Sequence, residues 1–239
     1  MFSNINCGFK PQEAMAKKFN EDTNLDPEEL AKHLRQPVGE TGKKVGVEMN
    51  KSNKHICLNT YKVLSPSTGD HILEIGMGNG YFVPDLLEMA GGLKYHGVDY
   101  SETMVDEARQ INEKLVDQGV VQFTQGSIDA LPFADATFDS ISTTNTLYFW
   151  PAPLSNAQEL FRVLKPGGKL VLGYRSKDCM DQLEITKYGF VKYETKGVEQ
   201  LLLDAGFSDV STQNIKEPEL EFDGNIFQIE GLFTSAKKL

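Results

Sequence analysis

A chain of 239 residues is long enough for one α/β domain with a substantial core, and 40% apolar with 24% charged residues excludes a disordered or fibrous protein. The formal net charge of -10 argues against a nucleic-acid partner, which needs clustered basic surface; Lys43, Lys44, Lys51 and Lys54 read as one solvated helix face. Cys7, Cys57 and Cys179 are odd in number and widely spaced, which suggests neither a disulfide framework nor a metal site, and no apolar run reaches membrane-spanning length. The expectation is a cytoplasmic protein, monomer or homodimer, with no membrane or metal partner.

Residues 1–24 are polar and weakly periodic, with a short helix predicted near Glu13 to Phe19. The first firm helix starts at Asp26-Pro27-Glu28-Glu29, where Asp26 caps, Pro27 fits the first turn and the acids suit the helix dipole, and it runs to about Arg35. Pro37, Gly39 and Gly42 mark a loop before a second helix, about Lys44 to Leu64, with Ile56, Thr60, Val63 and Leu64 on one side.

Next comes the stretch that organises the chain, His71-Ile72-Leu73-Glu74-Ile75-Gly76-Met77-Gly78-Asn79-Gly80-Tyr81-Phe82. An apolar run, three alternating glycines and a helical pattern through Leu86, Leu87, Met89 and Ala90 predict a buried parallel strand, a tight turn and a helix. Glycines there let bare backbone approach a ligand. The third glycine arrives one residue too early for a dinucleotide fingerprint, and Tyr81 stands where that fingerprint wants glycine. Glu74 at the strand end would repel a pyrophosphate and suit a cation, so the pocket is better matched to a sulfonium and an ammonium.

Strands and helices then alternate, as in a parallel sheet covered on both faces. A second strand, Tyr95 to Val98, ends at Asp99, an acid placed to accept hydrogen bonds from ribose hydroxyls. Ser101 caps a helix through Met104, Val105, Ala108, Ile111 and Leu115. A third strand covers about Val120 to Thr124, a fourth Phe138 to Asn145, a helix Leu154 to Leu164, and a fifth strand Lys169 to Tyr174. Arg175 to Thr195 reads as a lid or a strand pair. A helix from Gly197 to Ala205, a strand through Ile215 and a last strand from about Asn225 to Ser235 complete the chain.

Glu74-Ile75-Gly76-Met77-Gly78-Asn79-Gly80 resembles the first motif of the class I S-adenosylmethionine-dependent methyltransferases. Further similarity follows in order: Gln125 to Phe133, Phe138-Asp139-Ser140-Ile141, and Arg162 to Leu170 around Lys165-Pro166-Gly167-Gly168. It covers residues 68–175 well and the helix Glu199 to Phe207 moderately; residues 1–60 lie outside it.

The resemblance implies a doubly wound α/β fold with a mostly parallel seven-stranded, Rossmann-like sheet, an antiparallel last strand and N-terminal helices. Residues 1–65 would be a helical extension over the site, and 66–239 the S-adenosylmethionine-binding domain, in one structural unit. It implies cofactor contacts from Glu74, Gly76, Met77, Gly78, Asp99, Tyr100, Met104, Ser127, Ile128 and Asn145. Where the family often has an acid bonding the adenine amine, this chain has Ser127; Met104 also fits the core face of its helix. Tyr148, Trp150 and Arg175 are candidate contacts for a small-molecule acceptor, and Tyr148-Phe149-Trp150 would exclude water and meet the sulfonium by cation–π attraction. His33 and His55 are weaker candidates. No residue is assigned a catalytic role, because in-line methyl transfer relies on alignment and needs a base only for a protonated acceptor. Two alternatives stay open: a protein of this fold that binds the cofactor without transferring a methyl group, and a nicotinamide enzyme, disfavoured by Tyr81 and Glu74.

Overall fold

The computed structural model describes residues 25–218, 220–222, 225–227 and 229–239. The expected helix Glu13 to Phe19 lies outside them. Helix α1, Pro27–Arg35, opens as its sequence dictates, with the Asp26 carboxylate accepting from the Glu29 amide at 2.9 Å. Helix α2, Gly39–Leu64, begins before the expected Lys44. Gly42 is no loop signal here: a Cβ on it would strike the Pro37 backbone, so the missing side chain lets the helix close onto the preceding chain.

The remaining elements are β1 His71–Ile75, α3 Val83–Leu87, β2 Lys94–Asp99, α4 Glu102–Ile111, α5 Glu113–Asp117, β3 Val121–Gln125, β4 Phe138–Thr144, α6 Pro153–Val163 and β5 Leu164–Tyr174. After them come α7 Lys177–Met180, α8 Thr195–Asp204, β6 Ser208–Lys216, β7 Leu220–Phe222, β8 Asn225–Phe227 and β9 Glu230–Lys237. Seven strands form one sheet in the order β3-β2-β1-β4-β5-β9-β6. Neighbours are parallel except β9, which is antiparallel to both β5 and β6, so this is the doubly wound sheet with an antiparallel last strand. The strand order reverses between β1 and β4, and the loops leaving these two strands diverge and open a crevice at their carboxyl ends.

Side chains of β1 alternate between two cores. Ile72 packs with Tyr61 and Leu64 of α2, Leu86 of α3 and Val105 and Ala108 of α4; Leu73 and Ile75 pack with Leu160 and Val163 of α6 and Val198 and Leu202 of α8. Each fully buried Leu or Val contributes about 1.5–3 kcal/mol, which fixes the register of β1 between its neighbours. A third, smaller core joins Leu30 and Ala31 of α1, Val45 of α2 and Ile185. Among the described residues no helix is long and apolar enough to cross a membrane.

Three local expectations are corrected. The helix after Ser101 stops at Ile111, because the Asn112 side chain donates to the carbonyls of Gly80 and Ala108 and competes with the helical ladder. Residues 175–195 form no strand pair; they fold into α7 and a short helical turn, Glu184–Lys187, that lies on α1. The last strand is two: β8 pairs antiparallel with β7, and β9 alone joins the main sheet.

Gly173 of β5 faces α2, where a Cβ would overlap the Thr60 hydroxyl. Gly173→Ala is expected to lower the unfolding free energy by about 1–3 kcal/mol. Adding Thr60→Ala is expected to return part of that loss; urea titration of the single and double variants measures the coupling.

Candidate functional site

A cavity of about 400 Å³ lies at the carboxyl ends of β1, β2 and β4, within the range of roughly 300–1,000 Å³ usual for small-ligand sites. The turn after β1 forms its floor. Gly76 and Gly78 take left-handed φ values of 72° and 59°, and their reasons differ. A Cβ on Gly76 would meet the Thr146 side chain, whereas the space beside Gly78 is open. Helix α3, Val83–Leu87, follows the turn, and its N-cap residue Phe82 also lines the cavity.

Glu74 lines the cavity although it is only 4% exposed. The hydroxyls of Tyr61 on α2 and Tyr95 on β2 both donate to its Oε2, at 2.8 and 2.7 Å. Burial pushes its pKa up to about 7 against the pull of those two hydrogen bonds, and nearby Asp99 adds to the rise. Burial, then the carboxylate beside them, also holds both phenols well above their ordinary range, so they stay donors. Neither tyrosine was legible as a site residue, because each lies on a core face at ordinary core spacing.

Asp99 closes β2 and accepts the Gly78 amide on Oδ2 and the Ser101 amide on Oδ1, both at 2.9 Å. Burial raises its pKa to about 6, opposed by these two amides. Each carboxylate oxygen can accept a further bond, so the group can still meet a diol. Met77, Tyr100, Met104, Ser127 and Ile128 line the same cavity. Tyr100 is 55% exposed at the rim, whereas Met104 is 1% exposed and wedged against Gly46, so it serves core and wall together.

An acid does line the cavity two residues after Ser127. Asp129 lines the cavity, held by the Ser127 hydroxyl at 2.7 Å and the Asn156 amide at 2.8 Å. It stood in the segment Gln125 to Phe133 and could have been found by allowing the motif a two-residue slip.

Asn145 follows β4 and lines the cavity with a left-handed φ of 56°. Its Nδ2 donates to Asn53 Oδ1 at 3.1 Å, and its Oδ1 accepts from the Tyr148 hydroxyl at 3.2 Å. Trp150 also lines the cavity, its indole N–H donating to Thr146 Oγ1 at 3.2 Å. Tyr148 and Arg175, expected as acceptor contacts, are not on the wall. Tyr148 is 3% exposed behind Asn145, and Arg175 is spent on a buried pair with Glu217 and on the Glu230 carbonyl. A guanidinium this far from water needs that carboxylate and has little freedom to reach a ligand. His33 and His55 stand outside the cavity lining. Arg35, Asn50, Asn53 and Cys57 are wall residues that the motifs did not announce, while Phe149, expected beside Trp150, lines the wall with them. Burial pushes the Cys57 thiol up, which keeps it protonated.

Comparison with known proteins agrees with this geometry. The family described as "Methyltransferase domain" matches residues 73–172. The uncharacterized methyltransferase YdaC of Bacillus subtilis (strain 168) is 32% identical over 168 residues, which span 67% of this chain and 84% of that protein. The chain belongs to the class I S-adenosylmethionine-dependent methyltransferases. A demethylmenaquinone methyltransferase of Lactococcus lactis is 37% identical over 115 residues, 47% of this chain and 44% of that relative, so this methyltransferase spans under half of it. An S-adenosylmethionine-dependent methyltransferase of Aquifex aeolicus shares the fold, with a TM-score of 0.58 at 21% identity over 90% of this chain and 100% of that one.

The residues present fit the cofactor of such a methyltransferase. Open backbone at Gly78 gives room, carboxylates at the ends of β1 and β2 suit a cation and a diol, and Ile128 and Met104 offer apolar surface to a flat ring. Glu74 and Asp99 both titrate above their free values of 4.5 and 3.8, so their protonated forms favour the folded chain. Their contribution to stability is complete below about pH 4 and is lost as pH rises through about 6 and then 7. The stability of wild type relative to Glu74→Gln is therefore expected to fall with rising pH across this window and to level off above it, as read by chemical denaturation of the ligand-free protein at a series of pH values.

Proposed function

We propose that this methyltransferase moves the methyl group to a small-molecule acceptor by in-line displacement. The observation that carries the reading is Glu74, a buried carboxylate pinned by two tyrosines on one oxygen and left without a partner among the described residues on the other, at the wall of a cavity of ligand size. Bound S-adenosylmethionine supplies a sulfonium-activated methyl group. In this reading Glu74 holds the cationic end of the donor, while Gly76, Met77 and Gly78 give it backbone to lie against. Asp99 accepts from the ribose, and Tyr100, Met104, Ser127 and Ile128 enclose the base, with Asp129 added to them. Asn145, at the end of β4, stands between donor and acceptor.

Phe149 and Trp150 exclude water from the transfer line, which strengthens every charge interaction inside it. We assign residues 1–65 to an extension that forms the acceptor side; its described part supplies Leu34, Arg35, Met49, Asn50 and Asn53 to the wall. The demethylmenaquinone methyltransferase among the relatives supports a small-molecule acceptor.

Calorimetric titration tests the donor site. S-Adenosylmethionine and S-adenosylhomocysteine are expected to bind at micromolar or tighter affinity, weakened by more than about tenfold (1.4 kcal/mol) in Asp99→Ala. NAD is expected not to compete. A folded wild type, free of copurified ligand, that binds neither sulfur compound would sink the reading; labelled methyl transfer into fractionated small-molecule pools then tests the acceptor class.

A further inference from the structure

We propose that Asn53 of α2 recognises the methyl acceptor as a hydrogen-bond donor, and so selects an apolar acceptor that presents a carbonyl or anionic oxygen to it. The inference rests on the donor-site reading above and names the chemistry of the other half of the same cavity.

The polarity of this contact originates in the backbone. The Arg175 amide can only donate, and it donates to the Tyr148 oxygen at 2.5 Å. Tyr148 is buried, and burial also holds its phenol protonated, so its single proton needs an acceptor of its own. That acceptor is Asn145 Oδ1 at 3.2 Å. Asn145 is thereby turned with Nδ2 toward Asn53, whose Oδ1 accepts at 3.1 Å. Asn53 is left with Nδ2, which makes no hydrogen bond to any described residue, on a side chain that lines the cavity. An isolated amide can flip at little cost, but flipping either one here would leave the buried phenol proton or a facing N–H pair unpartnered. Asn145 is held in the left-handed region with both ends of its amide bonded, which keeps the series in one arrangement.

The surroundings point to the same class of acceptor. Wall residues from α1 and α2 include no carboxylate; they are apolar, as Leu34 and Met49 are, or donors, as Arg35 is. Of the carboxylates, Glu74 and Asp99 belong to strand ends and Asp129 to the loop after β3. Among the described residues Arg35 is the one cation on the wall, so the acceptor side attracts oxygen and the donor side attracts positive charge. Phe149 and Trp150 add aromatic surface for an apolar body.

The test uses the full chain saturated with S-adenosylhomocysteine and three probes of similar size: acetophenone, benzoate and 1-phenylethylammonium. In nuclear magnetic resonance titrations the two oxygen probes are expected to move the Asn53 side-chain amide signals and to bind at least about fivefold more tightly than the ammonium. Asn53→Asp still accepts from Asn145 but has nothing to donate, and, saturated with S-adenosylhomocysteine, it is expected to invert this order. Tyr148→Phe, which releases the polarity of the series, is expected to narrow the preference. An equal or inverted order in wild type, no binding of the oxygen probes, or an Asn53→Asp variant that keeps the wild-type order would overturn the proposal. Failure of wild type to bind S-adenosylhomocysteine would instead overturn the donor-site reading, and this one with it.

Discussion

A carboxylate buried at the end of the central strand is the constraint on which the rest of the site depends. Glu74 shares a sheet face with Ile72, so it points into the packed layer beneath α2 and not into solvent. A group of that kind is tolerated only when hydrogen-bonded. One partner, Tyr95, comes from the adjacent strand, where the register sets Tyr95 beside Ile72. The other, Tyr61, comes from α2, outside the matched family region of residues 73–172. The strand therefore ties the N-terminal helix to the sheet through a polar bond inside an apolar layer.

The same tie places the cover. Once Tyr61 is fixed on Glu74, the preceding turns of α2 run across the crevice and put Cys57, Asn53, Asn50 and Met49 along its wall. Further back, the Pro37 carbonyl accepts from the hydroxyl of Ser101, the cap of α4, which holds the start of the helix over the Asp99 side of the cavity. Helix α1 then lies on the turn at Glu184–Lys187, so a segment from beyond the matched region props the helix whose end supplies Leu34 and Arg35 to the wall. Chemical polarity follows this division: acids come from the sheet and the loop after β3, and donors with apolar surface come from the cover.

The central strands and the glycine turn were legible because two independent signals agreed on them. Continuous apolar runs demanded burial on both faces, and glycines demanded backbone that other residues resist. Asp99 was legible because a strand end fixes where an acid points. What escaped depends on partners far away in sequence. Gly42 looks like a loop residue until Pro37 is seen against it, and Asn112 looks like a helix residue until the Gly80 carbonyl is within reach. Arg175 suggests a ligand contact until Glu217, brought alongside by the antiparallel strands, takes its charge. Asp129 was missed through strict position matching, although Ser127 at the expected place now serves to orient it.

The small core of Leu30, Ala31, Val45 and Ile185 meets the layer around Leu73 and Ile75 through Leu183 and Phe190, which pack against both. Cooperative units with few buried contacts open at a fraction of the global unfolding free energy. Changes in α1 or at Ile185 are thus expected to alter how often a solute enters the cavity more than they alter the resistance of the sheet to denaturant.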